Sequence, residues 1–458
     1  MLNKKMGVRI MQSFRKSRDA VEKCLAAAAQ HEDKINSMIT ITAEEARRNA
    51  DIADKAEEEG RWLGLLHGVP MAIKDNIETA GIRTTSGSTF FSDYVPNQNA
   101  AVVDRLLNAG AILVGKASMH EFAFGVRSNN TVSPPCRNPW NTKRIPGGSS
   151  GGSGAAVAAG ICVGALGSDT GGSVRLPASI NGVSGLRPTH GCVPNHASTP
   201  VSSSFDTIGP MARSVADVAR IFAVIAGHDN RDPWSVDRPL LNFLPSLNDG
   251  IQKLRIGLPR NFYLENLHPE IEQIFFEAVK VLEELGVQLV EIDVPGASEM
   301  QAWATILIYS DACAFHEERL KNHKDKFSEQ VYERMITGWA YTNVDCVNAL
   351  QAREMWKMEL AKIFSEVDIL LSPTLPTLVP PVEEEKSLLE ATKDATRNTY
   401  AGAFGQVPGL SIPCGFTSDG LPVGLQLEAA WWNDPLLLKV GHSYQKVTDW
   451  HSRKPFVS

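Results

Sequence analysis

Two clusters of Gly and Ser, separated by an apolar run, most tightly constrain how this chain can fold. They lie in the stretch PGGSSGGSGAAVAAGICVGALGSDTGGSVRLPAS, residues 146–179. The apolar segment 155–166 predicts a buried helix leading to a short strand, with an ordered turn at each end. A flexible Gly/Ser linker lacks such a segment. Because glycine permits sharp turns and the close approach of a substrate, serine is the residue left in both turns to do chemistry.

A lysine ends an apolar strand well upstream of these turns. The segment GLLHGVPMAIKDN spans residues 64–76, and strand alternation places Lys74 on the same face as Ala72 and Asn76. A lysine at the end of a strand usually reaches solvent. Here the tight apolar approach, together with the serine turns downstream, makes that solvent-exposed position less favoured and leaves a functional role open.

The rest of the chain alternates helical and strand patterns in the manner of α/β proteins. Residues 1–65 are polar on one face and predict an N-terminal helical wrap around a core of residues 66–458. Within that core, residues 300–365 are largely helical and predict a cover that lines one wall of a pocket.

Local signals mark the ends of two predicted helices. Thr42 and Glu45 fit a capping box, and Gly60 fits the C-terminal end of the same helix. Ser214 precedes an amphipathic run with Asp217 in its first turn, which predicts an N-cap.

Length and composition fit one large α/β domain of enzyme size, and they leave a subdomain open. The chain has 458 residues, of which 43% are apolar and 21% charged, and no block is depleted in apolar residues like a disordered linker. The net charge of −7 argues against a nucleic-acid-binding surface, for which a clustered basic face is expected. We therefore expect no nucleic-acid partner.

The cysteines indicate a reducing compartment. Seven of them are scattered without a CxxC pair, and the odd count suits free thiols. The sequence contains no HExxH motif, so no metal site is expected, and nothing in it calls for a cofactor. No apolar run approaches the roughly 20 residues of a membrane span, and a polar run interrupts any signal-peptide core. We expect a cytoplasmic protein with no membrane partner.

Two other chemistries fit the glycine-rich turns less well. Gly147, Ser149 and Gly151 form GxSxG, but a nucleophile elbow needs a buried strand directly before it, and residues 141–146 are polar and end in proline. No GxGxxG directly follows an apolar strand, and the sequence contains no GxxxxGK[ST] motif. Phosphate binding is therefore a weak alternative.

The motifs GGSSGGSGAAVAAG, GSDTGGSVRLPAS and GVPMAIKDN together resemble those of the amidase signature enzymes. The likeness runs from about residue 10 to about residue 440 and includes SSFDTIGPMARSVAD and GLSIPCGFTSDGLPVGLQL. It implies a single large α/β domain whose mixed, mostly parallel central sheet is flanked by helices on both faces. It also implies amide hydrolysis by a Ser-cisSer-Lys triad.

Carried over position by position, the resemblance assigns three catalytic roles. Ser173 is similar to the nucleophile, Ser149 to the serine that follows a cis peptide bond and relays the proton, and Lys74 to the base. A serine hydroxyl needs a base to take its proton. A lysine is neutral near pH 7 only when burial lowers its pKa, which suits a side chain delivered by an apolar strand.

The resemblance also implies the groups around the reacting carbonyl. The backbone N–H groups of four consecutive residues resemble an oxyanion hole: Thr170, Gly171, Gly172 and Ser173. Glycines let the chain bend so that these amides converge on the developing negative oxygen. By analogy, Gly125 and Val126 are expected to bind substrate. Ser150 is expected to hydrogen-bond the backbone of the turn and is also a candidate substrate contact.

The resemblance does not choose a substrate. The sequence GLRPTHG and the aromatic-rich segment 300–360 look more like the free-standing hydrolases. We expect a free-standing amidase that cleaves small amides, with aryl amides, ureas and carbamates as candidates, through an acyl-enzyme. The alternatives are the glutaminase component of a tRNA-dependent amidotransferase and a non-catalytic partner subunit. The oligomeric state stays open, a homodimer included.

Overall fold

The computed structural model describes residues 16–239 and 242–455. Eleven strands in this part of the chain form one sheet. They are β1 (Met38–Ile41), β2 (Pro70–Lys74), β3 (Ile112–Ala117), β4 (Gly164–Asp169), β5 (Ser184–Arg187), β6 (Thr207–Ala212), β7 (Arg255–Pro259), β8 (Gln288–Ile292), β9 (Ile369–Pro373), β10 (Gly409–Phe416) and β11 (Pro422–Glu428). Their order across the sheet is β1-β3-β2-β4-β6-β5-β10-β11-β9-β7-β8.

Helices cover the sheet and connect its strands. Within the described ranges they are α1 (Ser17–Ile35), α2 (Ala43–Glu58), α3 (Ala101–Asn108), α4 (Gly151–Ala159), α5 (Arg175–Asn181), α6 (Val215–Ile225), α7 (Pro269–Glu284), α8 (Ala297–Asn322), α9 (Glu329–Ile336), α10 (Asn343–Glu366), α11 (Leu388–Ala395), α12 (Tyr400–Phe404) and α13 (Asp434–Gln445). None of these helices has both the length and the apolar composition needed to cross a membrane.

Both faces of the sheet carry a hydrophobic core, because successive side chains of a strand point in opposite directions. On β2, Met71 and Ile73 belong to a core that includes residues of α3, α6, α7 and α13. Ala72, between them, belongs to a second core with residues of α1, α2 and α4. The expected α/β domain, with a mixed sheet flanked by helices on both faces, is confirmed.

The sheet is less parallel than expected. Among the strand pairs of the described residues, six are antiparallel and four are parallel. The parallel pairs join β2 to β3 and β4, and β7 to β8 and β9. A short turn at 417–421 joins β10 to β11, and so few residues permit only an antiparallel hairpin, since a parallel connection needs a crossover of a dozen or more.

The N-terminal part is joined to the sheet as well as to its helices. β1 pairs with β3 in the antiparallel direction and adds an edge strand. The Thr42 hydroxyl donates to the Leu113 carbonyl at 3.1 Å, so the predicted capping box at α2 does not form. Gly60 follows α2 with φ of +73°, as its predicted place at the helix end requires. The boundary at residue 65 stays a prediction, and residues 1–15 lie outside the described ranges.

The central stretch folds as its pattern predicts. α4 leads to β4, the first Gly/Ser turn lies before α4, and the second follows β4. Ser214 caps α6 by accepting a hydrogen bond from the Asp217 amide at 3.1 Å. The first turn therefore lies at the start of α4, and the second lies at the end of β4. Because β2 and β4 are adjacent and parallel, both turns lie near the end of β2 that carries Lys74.

Candidate active site

Lys74 is the last residue of β2, and its side chain is completely buried. Its ammonium nitrogen lies 2.7 Å from the Ser149 hydroxyl and 2.8 Å from the Ser168 hydroxyl. Asn76, on the same face of the chain as predicted, donates to the same Ser168 hydroxyl at 3.3 Å. The predicted strand alternation thus delivers Lys74 to the serine turns instead of to solvent.

Burial sets the charge state of Lys74. Removal from water lowers the pKa of this lysine from its ordinary value of 10.5 to about 7, because burial disfavours the charged form. Asp206 and Asp169 act in the opposite direction, but neither forms an ion pair with Lys74 among the described residues. A substantial fraction of Lys74 is therefore a neutral amine at neutral pH, which can accept a proton from a hydroxyl.

Ser149 lies in the first turn and is completely buried. The peptide bond between Gly148 and Ser149 is cis. The Ser149 carbonyl accepts a hydrogen bond from the His120 amide at 3.0 Å, which orients this turn against the segment after β3. With Lys74 at its hydroxyl, Ser149 is placed to pass a proton between the amine and a third group.

Ser173 lies in the second turn and is only half-buried. Its carbonyl accepts a hydrogen bond from the Ser150 amide at 3.3 Å, which joins the two turns. Its hydroxyl has no hydrogen-bond partner in residues 16–239 and 242–455. Ser173 lines a cavity together with Thr170 and Gly171, so its hydroxyl is open to a small molecule there.

Two glycines in the second turn leave room that a side chain would fill. A Cβ on Gly171 would lie 2.7 Å from the Tyr400 ring, and a Cβ on Gly172 would lie 2.5 Å from the Thr399 hydroxyl. Gly172 also has φ of +137°, a conformation that residues with a side chain rarely adopt. The turn therefore requires glycine at both positions.

The four predicted oxyanion donors are not equivalent. The Gly172 amide donates to the Asp169 carboxylate at 2.8 Å. The amides of Thr170, Gly171 and Ser173 have no acceptor among the residues that the structure describes. Three of the four amides are thus without an internal acceptor in the described residues, and the fourth holds the turn.

Asp169 is the buried anchor of the second turn. Arg175 donates to it from Nε at 3.1 Å, and Arg187 donates from Nη1 at 3.0 Å. Burial alone would raise the pKa of Asp169, but the two guanidinium groups hold it well below its ordinary value. Asp169 is therefore an ionised structural group whose charge is shared by two arginines.

The predicted substrate contacts separate into two groups. Gly125 and Val126 line the same cavity as Ser173. Ser150 is completely buried and does not line that cavity; its hydroxyl accepts from the Ser168 amide and donates to the Ser168 carbonyl, both at 3.2 Å. The structure thus gives Ser150 a place in the turn backbone instead of in the cavity wall.

Three neighbours of the site were missed by sequence reasoning. Ser168, beside Lys74, lies within GSDTGGS. Strand alternation puts it on the face of Leu166, which pairs with Ile73, so no local pattern predicted this contact. Arg334 on α9 and Tyr400 on α12 line the cavity from the far side. Their sequences carry no motif, since only the packing of these distant helices brings them to Ser173.

Comparison with known proteins identifies relatives over nearly the whole chain. The sequence profile of the family described as Amidase matches residues 19–438. A glutamyl-tRNA(Gln) amidotransferase subunit of Chloroflexus aggregans is 39% identical over 460 residues, which cover 95% of this chain and 94% of the relative.

Solved structures share the fold. The corresponding glutamyl-tRNA(Gln) amidotransferase subunit of Thermotoga maritima matches with a TM-score of 0.81 and 31% identity, covering 94% of this chain and 92% of the other. A structure described as an unexpected vestigial protein complex that reveals the origins of an s-triazine catabolic enzyme matches with a TM-score of 0.89 and 33% identity. That match covers 94% of this chain and 95% of the other.

These relatives overturn two expectations from the sequence. The prediction of a free-standing amidase that cleaves small amides, with aryl amides, ureas and carbamates as candidates, is wrong. The relatives are named as one subunit of an amidotransferase. The expected absence of a nucleic-acid partner is wrong for the same reason, since the named enzyme acts on a glutamyl-tRNA. The net charge of −7 describes this chain alone, so it could not exclude a nucleic-acid partner for an enzyme of several subunits.

Proposed function

Because this chain belongs to the amidase family, we propose that it is the amide-hydrolysing subunit of an amidotransferase that acts on glutamyl-tRNA(Gln). The main support is the buried Lys74 amine, which lies 2.7 Å from the Ser149 hydroxyl, together with Ser173 in the wall of a cavity. Identity of 39% to a subunit of such an enzyme, over nearly the full length of both chains, supports the glutamine-dependent reaction. The chain is thus an enzyme that acts on C–N bonds.

In the proposed first step, Ser173 attacks the carbonyl carbon of the glutamine side-chain amide. Ser149 takes the Ser173 proton as it passes its own to Lys74, whose lowered pKa makes it a base near neutrality. The free amides of Thr170, Gly171 and Ser173 stabilise the negative oxygen of the tetrahedral intermediate. One such donor typically lowers the activation barrier by about 2.7–4 kcal/mol.

In the second step, the proton held by Lys74 returns through Ser149 to the leaving nitrogen, and ammonia departs. The C–N bond breaks while the acyl group stays on the Ser173 oxygen as an ester. A water molecule then attacks the ester with Lys74 as base, which releases glutamate and restores the serine. The ammonia is the group that an amidotransferase passes to its acceptor.

Ammonia release from glutamine is the direct test. We expect the wild-type chain, purified with the subunits that accompany it, to release ammonia from glutamine and to amidate glutamyl-tRNA(Gln) in its presence. Ser173→Ala is expected to abolish both reactions while the melting temperature stays near that of the wild type. Supplied ammonium salt is expected to restore amidation by the complex that carries Ser173→Ala, because only the amide-hydrolysing site is lost.

Two results would refute the proposal. One is the lack of glutamine hydrolysis by the wild-type chain both alone and in its complex. The other is a Ser173→Ala variant that keeps full glutaminase activity.

The proposed location is the cytoplasm, which the free state of all seven cysteines and a tRNA-linked reaction support.

A further inference from the structure

A second cavity, of about 240 Å³, borders the hydrogen-bond partners of Lys74. Ser168, whose hydroxyl lies 2.8 Å from the Lys74 nitrogen, lines it, and so does Asn76, which donates to the same hydroxyl. Val201 lines both this cavity and the one that contains Ser173 in its wall. We refer to the second cavity as the base-side cavity.

Asp206 is a buried carboxylate in the wall of the base-side cavity. One of its oxygens accepts from the Thr170 hydroxyl at 2.6 Å, and the other accepts from the amides of Val201 and Ser202 at 2.8 and 3.1 Å. Thr170 begins the turn whose amides are proposed to bind the oxyanion, and Val201 belongs to the wall that the two cavities share. Asp206 thus fixes the position of both segments.

Two carboxylates act on the charge of Lys74, and only one of them is neutralised by cations in contact with it. Asp169 is paired with Arg175 and Arg187 at 3.1 and 3.0 Å. Asp206 accepts from neutral donors, and among the described residues no cationic nitrogen lies within ion-pair distance of it. Arg187 acts on Asp206 only from farther away. The Asp206 charge is therefore the less compensated of the two, and it acts on Lys74 more strongly than that of Asp169.

The other ionisable groups around Lys74 do not supply this charge. Burial lowers the pKa of His120 to about 3, so this neighbour is neutral. Asp75, the next residue after Lys74, points to the opposite face of the sheet. Arg231 and Asp232 line the base-side cavity without contributing to the charge balance of Lys74.

We propose that Asp206 is a positioning residue for the reaction, which holds Thr170 in the oxyanion turn and supplies the negative charge that favours the ammonium form of Lys74. This inference rests on the proposed function, because it assigns a residue to the same site. Burial alone would make Lys74 a weak base, since nothing replaces the hydration of a buried ammonium ion. The Asp206 charge offsets part of that cost, so Lys74 can accept the proton of Ser149 and hold it until the amine leaves.

Asp206→Asn removes the charge and can keep the hydrogen bonds. The new amide oxygen can accept from the Val201 and Ser202 amides, while its nitrogen donates to the Thr170 oxygen. We expect the acid midpoint of kcat/KM for glutamine to move to lower pH by roughly 0.5–1 pH unit, because the ammonium form loses a favourable charge. Between pH 8.5 and 6, the wild type should lose activity by about tenfold and the variant by about 2- to 4-fold. Ammonia release by the complex measures both.

Asp232→Asn is the matched control. Asp232 lines the same cavity, and its carboxylate also accepts from backbone amides, those of Asn195 and Trp234 at 2.7 and 2.9 Å. This variant is expected to keep the wild-type midpoint, because Asp232 does not act on the charge of Lys74. An equal movement of the midpoint in both variants would overturn the role assigned to Asp206.

A second variant covers the case in which Asp206→Asn does not fold. Burial raises the pKa of Asp206 to about 6, and Thr170→Val should raise it further, because this change removes a hydrogen bond to the carboxylate. Less negative charge then acts on Lys74 near neutral pH. We expect the midpoint to move to lower pH by a smaller amount than in Asp206→Asn, and Thr170→Ser, which keeps the hydroxyl, to retain the wild-type midpoint.

Inactivation of Ser173 by a fluorophosphonate separates this inference from the proposed function, because the reagent needs Lys74 as base but not glutamine as substrate. Its rate should show the same midpoints as kcat/KM. If the wild type releases no ammonia from glutamine but Asp206→Asn still lowers the midpoint of inactivation, the proposed function fails and the role of Asp206 stands. If the folded Asp206→Asn variant has the wild-type midpoint, that role is wrong whether or not glutamine is hydrolysed.

Discussion

Lys74 on β2 and Lys116 on β3 are both completely buried, on neighbouring parallel strands, yet only one has a carboxylate beside it. Lys116 lies 3.4 Å from Asp75 and donates to the Ile77 carbonyl at 2.9 Å. Lys74 has the hydroxyls of Ser149 and Ser168. The first set of partners holds an ammonium ion in place, and the second accommodates either an amine or an ammonium.

The pleat of β2 produces this difference. Lys116 pairs in register with Ile73, so it lies on the face of the sheet to which Ile73 and Asp75 point. Lys74, between them, points to the opposite face and to the serine turns. Two equally buried lysines therefore have different hydrogen-bond partners, because strand alternation points them to opposite faces of the sheet. Burial alone does not identify a catalytic base.

Lys74→Met is expected to have the largest effect. Without a base to accept the Ser149 proton, kcat/KM for glutamine should fall by about 10²–10⁴-fold, the usual contribution of general base catalysis. Steady-state ammonia release measures it, and thermal unfolding should show a protein at least as stable as the wild type. Near-normal kinetics in this variant would refute the proposed proton path.

Lys116→Met should have the opposite effect: it should lower stability and leave most of the activity. It leaves Asp75 buried without its cation, which typically destabilises a fold by about 3–5 kcal/mol. Chemical denaturation measures this loss, and the fraction that stays folded should retain most of its activity. The double variant Asp75→Asn/Lys116→Met should recover part of the stability. A Lys116→Met variant that is stable but inactive would remove the distinction between the two lysines.

The pH dependence of kcat/KM should follow Lys74. The base works only when it is neutral, so activity falls as pH drops below its pKa of about 7, by about tenfold per pH unit, and levels off above it. A pH series at constant ionic strength measures the midpoint. Asp75→Asn, on the Lys116 side, should leave that midpoint unchanged. Activity that is constant from pH 5 to 8 would exclude Lys74 as the titrating base.

Ser168→Ala should have the smallest effect. It removes one of the two hydroxyls at the Lys74 nitrogen and lowers kcat/KM by roughly 3- to 10-fold, as expected for a single neutral hydrogen bond. The lost oxygen accepted from the ammonium form, so the pKa of Lys74 falls and the acid midpoint moves to lower pH. A midpoint that moves to higher pH would contradict this role.

Much of the fold follows from local patterns. The Gly/Ser turns, the apolar run between them and the strand that ends at Lys74 predicted α4, β4 and β2 correctly, because each depends on periodicity and glycine within a few residues. Ser214 formed its predicted cap for the same reason. Thr42 did not form its predicted cap, because its hydroxyl donates a hydrogen bond to the Leu113 carbonyl of β3. That partner is about 70 residues away, so no local pattern predicts it.

The site divides in the same way. Lys74, Ser149 and Ser173 stand in recognisable motifs, and the direction of the Lys74 side chain follows from strand alternation. Ser150 was also a candidate substrate contact, but its hydroxyl hydrogen-bonds the backbone of Ser168, as its place in the turn predicted. The excess of antiparallel strand pairs was not predictable either, since strand order depends on which distant segments pair.

The sequence alone therefore determined the family, the α/β class and the residues proposed for the chemistry, because all of these depend on short motifs and on the period of apolar residues. The tertiary structure alone decided which buried lysine has a carboxylate and which has hydroxyls. It also brought Arg334 to Ser173, 161 positions apart in the chain. The physical reason is that charge state and specificity depend on the groups within a few ångströms of an atom, and packing selects those groups from the whole chain.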